Sequence, residues 1–163
     1  MEQFSNQTND NSEENLIKYL IFEIGSDAYG VEITFVNEIT GIQQITEVPE
    51  QPSYVLGIIN LRGKIIPVMD VRTRFKKEFR EFDDRTCIIV VEIDDILVGL
   101  IIDRVVEVAD IHYSQISLPP KINSDFKNRF ISGIGRTESG VKILLDCSKL
   151  LGEVEIQMLE SME

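Results

Sequence analysis

The sequence predicts a mainly β protein built from two small barrels packed side by side, and three observations carry that expectation. The first is composition: 24 Ile and 14 Val stand against 12 Leu and only 2 Ala. Side chains branched at Cβ lose rotamer freedom on a helix and pack well on a pleated surface, whereas Ala and Leu build helices most easily. The second is rhythm, because apolar runs recur roughly every 8–12 residues between turn residues, as strands do in small barrels. The third is an internal repeat. At 163 residues the chain suffices for one domain, or for two very small ones sharing a core, which excludes a multi-domain enzyme.

Residues 1–15 hold four acids, no Lys or Arg and a single Phe, too little apolar surface to offset the entropy of ordering them, so a disordered acidic lead is expected. From Leu16 the pattern changes. Ile17–Ile24, the turn Gly25-Ser26-Asp27, Ala28–Ile33, Ile58–Leu61, Gly63 and Ile65–Val71 read as short strands and tight turns. Thr73–Arg80 places Phe75 and Phe79 at i, i+4 among Arg72, Arg74, Lys76, Lys77 and Arg80. It reads as a short amphipathic helix or loop with a core Phe pair and a basic outer face. Cys87–Ile93, the turn Asp94-Asp95, Ile96–Ile102, Phe130–Ile134, a turn at Ser139-Gly140 and Val141–Leu145 continue the strand pattern. Ser148–Met158 has Leu151, Val154 and Met158 at helical spacing and reads as a C-terminal helix before an acidic tail over 156–163.

The two halves resemble each other. Gly30, Val31, Ile33, Val36, Glu38 and Ile39 match Gly99, Leu100, Ile102, Val105, Glu107 and Val108 at a constant offset of 69. Tyr54–Ile58 matches Phe130–Ile134, and Val68-Met69-Asp70 matches Leu144-Leu145-Asp146, both at an offset of 76. Constant offsets point to a duplication of a unit of about 70 residues, too small to bury a comfortable core alone. Two barrels with a common apolar seam follow, and a groove between them is a natural binding site. One larger sandwich with similar strands is the alternative.

Charge and missing chemistry narrow the function. The net charge is -12, of which residues 1–15 and 153–163 supply -8. Such an excess opposes binding to nucleic acid or to an anionic membrane surface, and no run of apolar residues is long enough for direct membrane insertion. A cytoplasmic protein with protein partners is expected, and Cys87 and Cys147, set among apolar neighbours, are expected as buried reduced thiols. His112 is the only histidine and has no Cys or second His nearby, so a metal cluster or a histidine-based general base lacks its partners. Gly133–Gly140 is glycine-rich but lacks the Gly-Lys-Ser/Thr ending of a phosphate loop, and Asp83-Asp84 and Asp94-Asp95 are turn acids. No site argues for an enzyme, and no cofactor is implied.

What remains is Gly57–Arg72, read as a strand, a tight Arg62-Gly63 turn and a second apolar strand, with a cation where the chain reverses. Arg62 is suited to carboxylate or backbone recognition, or else pairs with a nearby acid such as Glu38; the sequence leaves both open.

This segment with its Asn-Leu-Arg-Gly, Tyr29–Ile33 followed by Val36-x-Glu38-Ile39, Val98-Gly99-Leu100-x-Ile102-Asp103-x-Val105, and Phe130–Ile134 resemble the CheW-like coupling proteins of bacterial chemotaxis, over about residues 16–155. The resemblance implies two five-stranded, SH3-like barrels, approximately 25–85 and 86–150, with the first strand able to cross to the other barrel. It implies a non-enzymatic adaptor between chemoreceptor cytoplasmic tips and the regulatory domain of the histidine autokinase CheA, in the cytoplasm at membrane-associated receptor arrays. Receptor contact would fall on Val36, Glu38, Gly57 and Arg62, and kinase contact near Gly41, Ile42, Gly99 and Val105. A coupling protein of a non-flagellar pathway and a small β-barrel ligand carrier are the alternatives.

Overall fold

The computed structural model describes residues 15–119 and 130–151. The acidic lead, and the C-terminal helix beyond residue 151 with the tail, lie outside the described residues. Eleven strands run through it: β1 (Leu16–Ile24), β2 (Asp27–Glu32), β3 (Val36–Gly41), β4 (Val55–Leu61), β5 (Lys64–Asp70), β6 (Cys87–Ile93), β7 (Ile96–Ile102), β8 (Arg104–His112), β9 (Ile116–Ser117), β10 (Ile131–Thr137) and β11 (Gly140–Leu145). Two short helices, α1 (Val71–Arg74) and α2 (Cys147–Leu151), follow β5 and β11. The strands form two sheets, ordered β8-β1-β2-β11-β10-β9 and β3-β6-β7-β5-β4. The first has six strands because the two-residue β9 joins its edge.

The mainly β fold and its two-part architecture follow the sequence, but the sheets do not divide the chain at 85/86. Each takes its opening hairpin from one copy of the repeat and three or four strands from the other. β1 and β2 join β8 to β11, while β6 and β7 join β3 to β5. The cause is the strand pairing itself: β2 lies parallel to β11 through Gly30↔Leu144, and β7 lies parallel to β5 through Gly99↔Val68, the same contact made twice. The duplication extends to irregularities. Bulges fall between Val55 and Gly57 and between Ile131 and Gly133, and again at Val36/Glu38 on β3 and opposite Val105 and Glu107 of β8. Asp70 N–H donates to Tyr54 O at 2.7 Å and Asp146 N–H to Phe130 O at 2.8 Å. Both aspartates then cap the helix that follows, accepting from Arg72 N–H and Ser148 N–H.

Three apolar clusters result. Ile59, Leu61, Ile66, Val68, Ile88, Val90 and Ile101 pack together within one sheet, and Tyr19, Ile21, Ile111 and Leu144 within the other. The largest cluster is the seam, where Leu20, Phe22, Ile24 and Tyr29 meet Ile89, Val91, Val98, Leu100 and Ile102. Alternate residues of β1, β6 and β7 therefore serve different cores, which is why each strand carries an apolar run, Tyr19–Phe22, Cys87–Val91 and Ile96–Ile102, rather than an alternation. Phe22, Tyr29, Phe75 and Phe130 continue the seam with ring centroids 5.4–6.0 Å apart. Arg74 closes its end, 4.4 Å from the ring centroids of both Tyr54 and Phe130, and donates from Nε to Leu150 O at 2.8 Å.

Of the helix-or-loop reading of Thr73–Arg80 the loop is present, and the expectations of a core Phe pair and a basic outer face each hold only in part. The helix is one turn over Val71–Arg74, not a run to Arg80, because Lys76 adopts φ 59° and breaks it. Phe75 is buried but Phe79 is 58% exposed and packs against Phe82, so the pair does not share a core. Nor is the basic face all outward: Arg72 and Arg74 turn inward to Asp103 and to the rings.

Candidate partner-binding site

The β4–β5 hairpin closes through Leu61↔Lys64 with a two-residue turn, Arg62 at φ 52° and Gly63 at φ 86°. Two positive φ values define the type I′ turn whose twist matches the flanking strands. Glycine takes this conformation freely, but an arginine there carries strain that the surroundings must hold. Asn60 Oδ1 accepts Gly63 N–H at 2.9 Å and fixes the backbone, while the Arg62 guanidinium donates to Glu38 Oε1. Of the two readings of Arg62, the pair with Glu38 is present, and it does not consume the group. The Arg62 side chain is 72% exposed, so its remaining N–H donors face solvent. An exposed pair of this kind is worth about 0.2–1 kcal/mol, so it orients the cation more than it stabilises the fold.

Glu38 and Arg62 come from opposite edges of their sheet, β3 and the end of β4. The pair and the bridge Thr46↔Ile58 draw those edges together, the latter through hydrogen bonds of 2.9 Å in both directions. That bridge explains Gly57. A Cβ at Gly57 would lie 2.1 Å from Thr46 O, and its φ is 150°, so only glycine allows the 46–47 backbone to cross. Ile39 on β3, Ile42 just after it and Ile65 on β5 are exposed apolar residues of the same sheet.

The eight expected contact residues therefore separate by depth. Glu38 and Arg62 meet at the surface, Val36 is half-buried against the seam, and Gly57 is buried under the chain. Gly41 and Ile42 are exposed where β3 ends. Gly99 is buried at a sheet centre, where a Cβ would meet Ile88 and Val68 at 2.8 Å, and Val105 is half-buried beside the seam.

A second polar centre escaped the sequence because its members lie far apart in the chain. Asp103, where the chain passes from β7 to β8, accepts from Arg72 Nε and a terminal Arg72 N–H at 2.8 and 2.6 Å, from Gly25 N–H at 2.7 Å and from Arg80 at 3.2 Å. Burial alone would raise the Asp103 carboxyl, but these hydrogen bonds and the guanidinium charges outweigh it and hold it below the ordinary carboxylate range. Asp70, also buried, is pushed up by burial despite its bonds to Thr73 and the Arg72 backbone. This centre joins the β1–β2 turn of one sheet to α1 of the other.

The remaining reactive groups have structural positions. His112 caps a 3₁₀ turn, accepting Ser114 N–H at Nδ1. Gly133–Gly140 is the β10–β11 hairpin. Both cysteines are free; Cys147 is buried, its thiol pushed up to about 12 by burial and by Asp146, and Cys87 is only half-buried. Among the described residues no group of three or more His, Cys, Asp or Glu is placed to hold a metal ion, and no helix is long and apolar enough to cross a membrane.

This arrangement, a duplicated pair of sheets with a braced arginine turn, is that of a known family. Residues 18–155 match the model of the CheW-like domain. The chain belongs to the CheW-like family. It is 31% identical over 144 residues to the chemotaxis protein CheW of Klebsiella aerogenes, covering 88% of this chain and 87% of that protein. Against CheW of Treponema pallidum it is 31% identical over 145 residues, 86% and 85% of the two chains. The solved structure of the scaffolding protein TtCheW from Thermoanaerobacter tengcongensis superposes with a TM-score of 0.79 at 36% identity, over 86% of this chain and 95% of that one.

Proposed function

We propose that this CheW-like chain is a non-enzymatic adaptor that couples methyl-accepting chemoreceptors to the histidine autokinase CheA in the cytoplasm, at membrane-associated arrays. The observation that carries the reading is the Arg62 turn: a cation held on a strained hairpin, braced by Glu38 and left mostly exposed, on a sheet that also exposes Ile39 and Ile65. A receptor tip is a helical hairpin, and an apolar surface with a fixed polar anchor accepts one face of such a helix. Glu38 and Arg62 make the contact, while Val36 and Gly57 act from beneath by setting the course of β3 and of the 46–47 crossing. Kinase contact lies at the exposed end of β3, Gly41 and Ile42, with Gly99 and Val105 supporting from below.

Coupling of this kind needs no strong single contact. Binding both partners raises the effective concentration of each near the other, and a receptor signal is transmitted only if the adaptor's contacts differ between kinase-on and kinase-off states. The test is co-sedimentation of the purified chain with receptor cytoplasmic fragments and CheA, with ATP-dependent autophosphorylation read in the same tubes. The expected result is co-sedimentation and kinase stimulation only when receptor is present; binding to neither partner overturns the reading.

A further inference from the structure

The repeat places two corners of the molecule in correspondence. At one, the chain leaves β7 through Asp103 and Arg104 and faces Glu23 and Gly25 at the end of β1. At the other it leaves β2 through Thr34 and Phe35 and faces Glu92 and Asp94 at the end of β6, each 69 positions from its counterpart.

The first corner is filled from within. Arg104 Nε donates to Glu23 Oε1 at 2.6 Å, and Arg72 and Arg80 both reach Asp103. The segment after α1 covers what remains, Arg80, Asp83 and Arg85 bordering a cavity of about 430 Å³.

Among the described residues the second corner keeps the frame without the filling side chains. Glu92 preserves the carboxylate of Glu23, but Arg104 is replaced by Phe35, whose ring is 40% exposed. Asp103 is replaced by Thr34 and Arg72 by Ser148. Among the described residues no cation pairs with Glu92, Asp94 or Asp95. A cavity of about 580 Å³ opens there, lined by Thr34–Asn37, which includes Val36, and by Glu92, Asp94 and Asp95. The segment that corresponds to the cover of the first corner is residues 152–161, which carries Glu153, Glu155 and Glu160 and no Lys or Arg. Its charge has the wrong sign for this corner.

We propose that the Phe35–Glu92 corner is a docking site for an arginine presented beside an apolar residue by a segment of a partner protein. The partner's guanidinium takes the place that Arg104 holds opposite Glu23, pairing with Glu92 and lying over the Phe35 ring, with Asp94 and Asp95 on its rim. Arginine is favoured over lysine because its planar group both forks to a carboxylate and stacks on an aromatic face. The carboxylates alone would not identify a ligand; the equivalent carboxylate, bound to an arginine in the same molecule, does. The site does not include the Arg62 turn, although it shares Val36 with the expected receptor-contact residues, and it does not depend on the adaptor reading.

The probe is a blocked peptide, Ala-Leu-Arg-Leu-Ala, titrated into the full ¹⁵N-labelled chain, with its lysine and citrulline counterparts as controls. The expected result is a saturable shift of the amides of Thr34–Asn37 and Ile93–Ile96, strongest for arginine and absent for citrulline. Glu92→Gln should weaken it about tenfold, the effect of losing a charge-assisted hydrogen bond. Phe35→Arg rebuilds the filled corner in cis and should abolish the response; the position is exposed, and an unchanged spectrum elsewhere verifies the fold. No shift at this corner up to millimolar peptide, a response equal at all acidic surfaces, or one indifferent to Glu92→Gln and Phe35→Arg overturns the proposal.

Discussion

The β4–β5 turn and the β10–β11 turn occupy corresponding places in the two sheets and carry opposite charge. Arg62-Gly63 corresponds to Glu138-Ser139, and Glu38 to Glu107. In one sheet these positions form an ion pair that draws two edges together. In the other they are two carboxylates bordering an open cavity with Val108, Asp110 and Gln115. The strand frame is shared to the level of bulges, but the turns differ in backbone as well as in side chains: Arg62 and Gly63 both take positive φ, whereas in the second turn only Gly140 does. A duplicated scaffold keeps its strand pairing because pairing and core are coupled, while turn residues outside both are free to diverge. Only one sheet can therefore offer a braced cation to a partner.

The largest test of that comparison is at the paired glycines. Gly57→Ala should destabilise the chain by about 3 kcal/mol or more, because the methyl meets backbone at a positive φ. Gly133→Ala, where the new methyl meets Ile116 Cγ2 at 2.8 Å and Ser117 O at 3.1 Å, should cost about 1–2 kcal/mol. Urea unfolding midpoints compare the two, and equal losses would mean that the 46–47 crossing has no special role.

Next come the corners. Asp103→Asn should cost about 2 kcal/mol, since it leaves Arg72 half-buried against a neutral amide, while Thr34→Ala at the corresponding place should change stability by less than about 0.5 kcal/mol. The cost is pH-dependent. The Asp103 carboxyl is lower in the fold than its ordinary 3.8, so its stabilisation is complete above that value and is lost as pH falls through the folded one. The gap between wild type and Asp103→Asn should close between about pH 5 and pH 2. Asp70, raised by burial and further by the Asp103 charge, works in the opposite sense, and losing that charge in Asp103→Asn relieves it in part. A gap constant with pH would place the effect in packing.

The smaller effects concern the turns. Arg62→Ala should weaken receptor binding about tenfold while changing unfolding free energy by no more than about 0.5 kcal/mol, since the pair it breaks is exposed. Equal loss of stability and affinity would make the arginine structural. Glu138→Arg gives the second turn the sign of the first; its stability should shift by less than about 0.5 kcal/mol, and its receptor affinity should not change. A gain in receptor binding would show that either turn can serve.

Much of this was legible from the sequence. The central stretches of β1, β6 and β7 are buried on both faces and read as apolar runs, and the repeat is legible at both offsets. β3 and β8 were seen only as matching residues, because each exposes one face and places Ile39, Val106 and Val108 toward water, which blurs the alternation. The exchange of hairpins between sheets was not readable, since Gly30 and Gly99 mark a close approach without naming the strand that approaches. Phe75 and Phe79 mimicked a helix face because spacing alone cannot show that Lys76 interrupts it. Arg62 and Glu38 could be paired by inspection as candidates, but the Asp103 centre draws on positions 25, 72 and 80 and has no local signature.

Arg74 and Leu150 correspond in the repeat, as do Tyr54 and Phe130, so one guanidinium sits between two equivalent rings. Two identical subunits could not share such a feature. Symmetry would bring either two arginines, which repel, or two leucines, which leave the rings without a charge, into a gap sized for one. Joining the copies in a single chain releases them from sameness and makes an odd number possible where they touch. The seam of this molecule is therefore a contact that a symmetric dimer of either half would be unable to reproduce.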